Sequence, residues 1–160
     1  DISPYYNSIQ LIGDQLLSIL GKELNLSSKF FNEYYKSPLI RAQLVYYPSN
    51  KLNHSFGVFP HTDNGVFTLL QTNNVSGLQF YHELSNKWIN VPPIKDNFII
   101  NIGKLLSIWL CNTIKPTLHR VIYSNNNANI PRYSIAIFYD PSPNAFINPY
   151  HINRDYTNCI

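Results

Sequence analysis

The sequence predicts a mainly β fold, a sandwich or barrel, with helices at its N-terminal end. Three observations lead there. Helical periodicity is confined to about the first forty residues. After Pro38, short apolar and aromatic runs alternate with Asn, Pro and Gly turns, the mark of many short strands at close spacing. No helical crossover of a dozen residues separates these runs, so a parallel α/β sheet is not expected.

Taken in order, the elements follow from local pattern. Ile9, Ile12, Leu16, Leu20 and Leu24 recur every three or four residues and form one apolar stripe, which predicts a helix. Ser3 followed by Pro4 supplies its start. A second, shorter helix is predicted from a cap at Ser27 or Ser28 through Tyr35, ending near Pro38. Strands are predicted at residues 40–46, 57–59, 66–71, 78–81, 87–91, 98–102, 117–122 and 133–139. Residues 105–110 read equally as a helical turn or a strand, and 124–129 (SNNNAN) as a polar loop. The tail after Pro141, which carries Pro143 and Pro149, reads as irregular. The change of character divides the chain into a helical segment, 1–38, packed on a β domain, 39–160.

Composition narrows the function classes. A chain of 160 residues with 44% apolar content fits one domain with a real core. Charged residues are only 13%, with Asn filling much of the polar surface. The net charge of +3 is small and the basic residues are scattered, so neither nucleic acid nor a membrane surface is the expected partner. Cys111 and Cys159 have no paired spacing, so no disulfide framework or Cys-based zinc site is predicted, and the setting leans cytoplasmic. No run reaches transmembrane length, and no secretory signal is read at the start. The chain opens on Asp1 rather than Met, so a preceding N-terminal portion is expected.

Of the five histidines, His54, His82 and His151 lie in Asn-rich loops or at strand ends without a carboxylate pattern, and read as ordinary. The stretch PHTDNGVFTLL differs. On a strand, residues two apart point to the same side, so His61 and Asp63 project together. An imidazole and a carboxylate on one face share a divalent metal well, and His119, at the edge of the strand-like PTLHRVIY, is the natural third ligand. Two histidines and one carboxylate suit a non-haem Fe(II) that activates oxygen. The bland alternative is a surface turn with a His–Asp hydrogen bond.

Further along, RYSIAIFYDP places Arg132, Ser134, Ala136 and Phe138 on one strand face. A guanidinium pointing into a barrel is costly unless an anion meets it. Paired with a hydroxyl, it makes a good carboxylate receptor. In the alternative arrangement Arg132 faces solvent, and Tyr133, Ile135 and Ile137 face the core.

The pieces RAQLVYYP, PHTDNGVFTLLQ, VSGLQFY, KWINVPPI, FIINIGKLLSIW, LHRVIY and RYSIAIFYDPSPNAFINP, in this order and spacing, resemble the Fe(II)- and 2-oxoglutarate-dependent dioxygenases. The branch they resemble includes isopenicillin N synthase and the plant hormone and flavonoid oxygenases. The resemblance implies a double-stranded β-helix, or jelly roll. It implies His61, Asp63 and His119 as Fe(II) ligands, and Arg132, Ser134 and Tyr47 as the 2-oxoglutarate site. Phe138 falls on a position that touches substrate in this branch. The implied cofactors are Fe(II), 2-oxoglutarate and O2. The implied reaction oxidises a C–H bond of a small organic molecule, with a peptide as the second substrate class. Val45 and Lys104 stand where the family often has Asn and Asp. Three rival readings stay open. The first is an oxidase of the isopenicillin N synthase type, in which Arg132 and Ser134 hold a substrate carboxylate. The second is an inactive binding module on the same barrel, and the third a non-redox metalloenzyme of the cupin type. Oligomeric state is not legible in the sequence.

Overall fold

The computed structural model describes residues 1–27, 29–49, 55–123 and 130–150. It contains helix α1 (Ser3–Glu23), strands β1 (Leu39–Tyr47), β2 (Phe56–His61), β3 (Phe67–Thr72), β4 (Leu78–His82), β5 (Lys87–Asn90) and β6 (Ile99–Ile102), a short helix α2 (Lys104–Trp109), and strands β7 (His119–Ile122) and β8 (Arg132–Asp140). All eight predicted strands form. The ambiguous segment at 105–110 is helical, as α2.

The strands make two four-stranded sheets, ordered β1-β8-β3-β6 and β2-β7-β4-β5. Every pairing is antiparallel. In both sheets strands distant in sequence lie side by side, which is the interleaving of a jelly roll. The expected double-stranded β-helix is therefore the fold.

Helix α1 packs where the sequence predicts, with a shifted centre. Its buried residues are Ile9, Gly13, Leu17 and Gly21. Ile12, Leu16, Leu20 and Leu24 flank that line and are partly buried. Glycine replaces bulk at the centre because the sheet comes too close: a Cβ on Gly13 would lie 2.5 Å from the Tyr139 ring. At the helix start, the Ser3 N–H is bound by the Asp1 carboxylate at 3.0 Å, so the cap lies before Ser3 rather than on it.

The predicted second helix does not form. Its segment makes successive turns, with Phe30 N–H to Ser27 O at 2.8 Å, Asn32 N–H to Lys29 O at 3.1 Å and Tyr34 N–H to Phe31 O at 3.0 Å. Phe30, Phe31 and Tyr34 all pack on Trp109, with ring centroids 5.7, 5.2 and 4.6 Å away. Cys111 also departs from expectation. It is disulfide-bonded, a pairing made by the fold and not marked by any spacing in the sequence. Ser28, His54, residues 124–129, His151 and Cys159 lie outside the described residues.

The main core lies on the outer face of the first sheet. Ile9 and Leu17 of α1, Leu106 and Trp109 of α2, and Leu69, Ile137 and Tyr139 of the sheet belong to one buried cluster. A smaller cluster of Tyr47, Leu70, Leu78 and Val121 lies between the sheets. Strand β8 is consequently covered on both sides. Ile137 and Tyr139 face the helices, and Arg132 and Ser134 face the interior, all four buried. Among the described residues no helix is long and apolar enough to cross a membrane.

Candidate metal centre

His61 ends β2 and pairs across the ladder with His119, the first residue of β7. Asp63 is past the strand, in the turn leading to β3, and not on the strand face that the alternation predicts. That turn is held from several sides. The Lys104 N–H donates to Asp63 O at 2.8 Å, and the Leu105 N–H donates to Asn64 O and Gly65 O, each at 3.1 Å. The Val66 N–H donates to Asp140 Oδ1 at 2.9 Å, while Arg41 Nη2 donates to Asp140 Oδ2 at 3.1 Å. Two glycines permit this closeness: a Cβ on Gly65 would lie 2.0 Å from Asp140 Oδ1, and one on Gly103 2.0 Å from Gly65 O.

The three side chains converge. His61 Nε2 and His119 Nε2 each lie 3.8 Å from Asp63 Oδ1. The ligand atoms of the trio all lie within 4.8 Å of one another. A separation of 3.8 Å is too long for a hydrogen bond. It is within the span of two metal–ligand bonds of about 2.1 Å each. The outer atoms of the trio are already engaged. His61 Nδ1 bonds Phe59 O at 2.8 Å, and His119 Nδ1 bonds Thr117 O at 2.8 Å. Carbonyls only accept, so each Nδ1 carries a proton, and the neutral ring in that tautomer presents the Nε2 lone pair. Asp63 Oδ2 accepts the Thr68 hydroxyl at 2.6 Å, which leaves Oδ1 to face the imidazoles. Burial pushes the His119 pKa below its ordinary value, against its backbone hydrogen bond to Thr117 and the charge of Asp63, so the ring is neutral at neutral pH. Two imidazole nitrogens and a carboxylate oxygen facing one point are what a cation requires.

The trio lines a cavity of about 250 Å³ between the sheets. Tyr47, Arg132, Ser134 and Phe138 line the same cavity, so all seven residues singled out in the sequence meet there. Arg132 is 5% exposed, and its Nε and Nη1 have no hydrogen-bond partner. Its guanidinium carbon lies 4.9 Å from the centre of the Tyr47 ring, its neighbour across the β1–β8 ladder. Burial lowers the Arg132 pKa below its ordinary value and the adjacent Tyr47 opposes that. The alternative arrangement, with Arg132 in solvent, is excluded. A buried cation with free donors is stable only if an anion completes it. The site thus fits both a divalent metal and a carboxylate-bearing ligand.

The sequence model of the 2OG-Fe(II) oxygenase superfamily matches residues 30–141. The chain belongs to that superfamily. As an oxygenase-superfamily member it is 30% identical to the 2-oxoglutarate-Fe(II) type oxidoreductase hxnY of Emericella nidulans, over 97% of this chain and 43% of that protein. A full-length Neurospora crassa protein, crystallised in complex with alpha-KG, superposes with a TM-score of 0.84 at 25% identity, covering 93% of this chain and 48% of that one. JOX2 in complex with 2OG, Fe and JA superposes with a TM-score of 0.82 at 30% identity, covering 93% and 44%. The chain therefore spans less than half the length of these relatives.

Three residues of this superfamily member's site escape sequence reasoning: Thr68, Asn101 and Asp140. All are buried and polar. Thr68 and Asn101 face each other across the β3–β6 ladder, behind the trio. Their signal in the sequence is a polar residue inside an apolar run, VFTLL and FIINI, where burial without a partner would be costly. Asp140 follows an apolar strand and carries no such mark.

Proposed function

We propose that the protein is an Fe(II)- and 2-oxoglutarate-dependent oxygenase acting on a C–H bond of a small organic molecule. One observation carries this: a convergent His–Asp–His cluster shares its cavity with a buried guanidinium whose Nε and Nη1 have no partner among the described residues. When bound, Fe(II) with 2-oxoglutarate and O2 supplies the oxidising chemistry, which yields succinate, CO2 and oxidised substrate. The chain supplies the rest. His61 Nε2, His119 Nε2 and Asp63 Oδ1 hold the metal, as in the facial triad of two histidines and one carboxylate. The carbonyls of Phe59 and Thr117 fix both imidazoles in the ligating tautomer. Arg132 and Ser134 receive the distal carboxylate of 2-oxoglutarate, with Tyr47 stacked beside the guanidinium. Phe138, in contact with Arg41 at 5.3 Å, presents its ring to the substrate. A small substrate agrees with the modest cavity and with JOX2 holding JA beside 2OG and Fe. We extend the proposal to organisation. Residues 1–38 act as a segment packed on an oxygenase domain at 39–160, supported by the cluster that Ile9 and Leu17 share with Leu69 and Ile137.

Labelled 2-oxoglutarate, supplied with Fe(II), ascorbate and air, should be converted to labelled succinate. The conversion should require oxygen and vanish in His119→Ala. Metal binding without any conversion in the wild type would contradict the cosubstrate assignment and leave Arg132 and Ser134 to a carboxylate of the substrate itself.

A further inference from the structure

Asn101 sits on β6, is 4% exposed, and lines the cavity beside the trio. Among the described residues, its side-chain Nδ2 has one hydrogen-bond neighbour, His119 Nε2 at 3.5 Å. That distance is the outer limit of such a bond. The contact also exists only while the Nε2 lone pair is free. A metal ion on Nε2 would take the lone pair and leave Nδ2 without this partner. Buried amides are satisfied in nearly all proteins, so a new acceptor must arrive with the metal. The amide nitrogen lies 3.5 Å from His119 Nε2 and lines the same cavity, so it is on hand for an oxygen that a metal at the trio would hold beside His119.

We propose that Asn101 donates a hydrogen bond to the oxygen ligand that occupies the metal position beside His119, and that in the working complex this oxygen belongs to the keto-acid end of 2-oxoglutarate. The inference rests on the oxygenase reading above. It gives the cosubstrate a hold at each end: Arg132 and Ser134 on the distal carboxylate, and Asn101 with the metal on the chelating one. Asn101 then contributes to cosubstrate affinity and not to metal affinity. A residue that merely propped up His119 would do the reverse.

The test is calorimetric titration of 2-oxoglutarate into the Mn(II)-loaded protein, for wild type, Asn101→Leu and Asn101→Ser. Leu keeps the shape and removes the donor. Ser is small enough to avoid crowding and too short to reach. Mn(II) affinity, measured separately, reports whether the site is intact. Both variants should bind Mn(II) as wild type does and 2-oxoglutarate roughly ten- to hundredfold more weakly, the range for a lost hydrogen bond to a charged group. Wild-type affinity for 2-oxoglutarate in either variant that still binds Mn(II) would overturn the proposal. An equal loss of Mn(II) affinity would overturn it as well, since Asn101 would then act on His119 alone. If the wild-type Mn(II) protein itself fails to bind 2-oxoglutarate, the oxygenase reading falls first and takes this inference with it.

Discussion

Thr68 decides how Asp63 presents itself. Its hydroxyl donates to Oδ2 at 2.6 Å inside the protein, and Oδ1 alone faces the two imidazoles. A carboxylate binding through both oxygens would occupy a fourth position on an octahedral ion. Only two would then remain for a chelating cosubstrate and O2, which together need three. Thr68 would therefore act as a positioning residue that keeps the facial site open when a metal is bound. Thr68→Val, which keeps the shape and removes the hydroxyl, should weaken Mn(II) binding about ten- to hundredfold, and Thr68→Ser should restore it. Calorimetry measures both, and a Val variant with unchanged affinity would show that the hydroxyl does not position Asp63. At this scale the candidate ligands were legible and their supports were not. The spacing of His61, Asp63 and His119 is a weak signal alone and gains weight from Arg132 and Ser134 further along. Thr68 and Asn101 gain meaning only from the β3–β6 register, a contact between residues far apart in sequence.

At the scale of elements, α1 meets β8 at Tyr139. Tyr139 is fully buried, its hydroxyl donates to Asp14 Oδ1 at 2.6 Å, and its ring lies against Gly13. The ring has no freedom to retreat. Gly13→Ala should therefore destabilise the protein by about 1–3 kcal/mol, although Ala favours the helix intrinsically. Gly21 is the control: a Cβ there would meet only the Phe31 ring at 3.8 Å, an ordinary contact. Gly21→Ala should stabilise by up to about 1 kcal/mol. Urea denaturation of the two variants gives opposite shifts if the packing is as described, and equal shifts would contradict it. The sequence shows the apolar stripe of α1 but not its glycine centre, because glycine reads as absence in a hydrophobic pattern. It likewise misreads residues 27–35 as helix, and the packing of Phe30, Phe31 and Tyr34 on Trp109, a residue much later in the chain, has no local mark in the sequence.

In the whole molecule, stability and chemistry are kept apart. The large buried cluster lies between the helices and the outer face of the first sheet, and among the described residues the sheet interior holds only Tyr47, Leu70, Leu78 and Val121 as buried apolar residues. The rest of that interior is the cavity, where the trio, Arg132 and Ser134 meet apolar residues such as Val58 and Phe138. Substitutions at the trio should then leave the fold standing, which makes their effect on metal binding interpretable. The strand content of this architecture could be read from turn spacing, since each strand is a local pattern. The two-sheet interleaving could not be read from periodicity, because strand order is fixed by pairings such as β1 with β8 that span most of the chain. The most direct test of the central claim is Mn(II) titration calorimetry on the wild type and on His61→Ala, Asp63→Ala and His119→Ala. Loss of a direct ligand should exceed the effect of losing a support. The wild type should bind a single ion per chain, and each variant should lose more than about a hundredfold in affinity while keeping the wild-type circular dichroism. Equal binding by the wild type and any folded variant would contradict a metal centre built from these three residues.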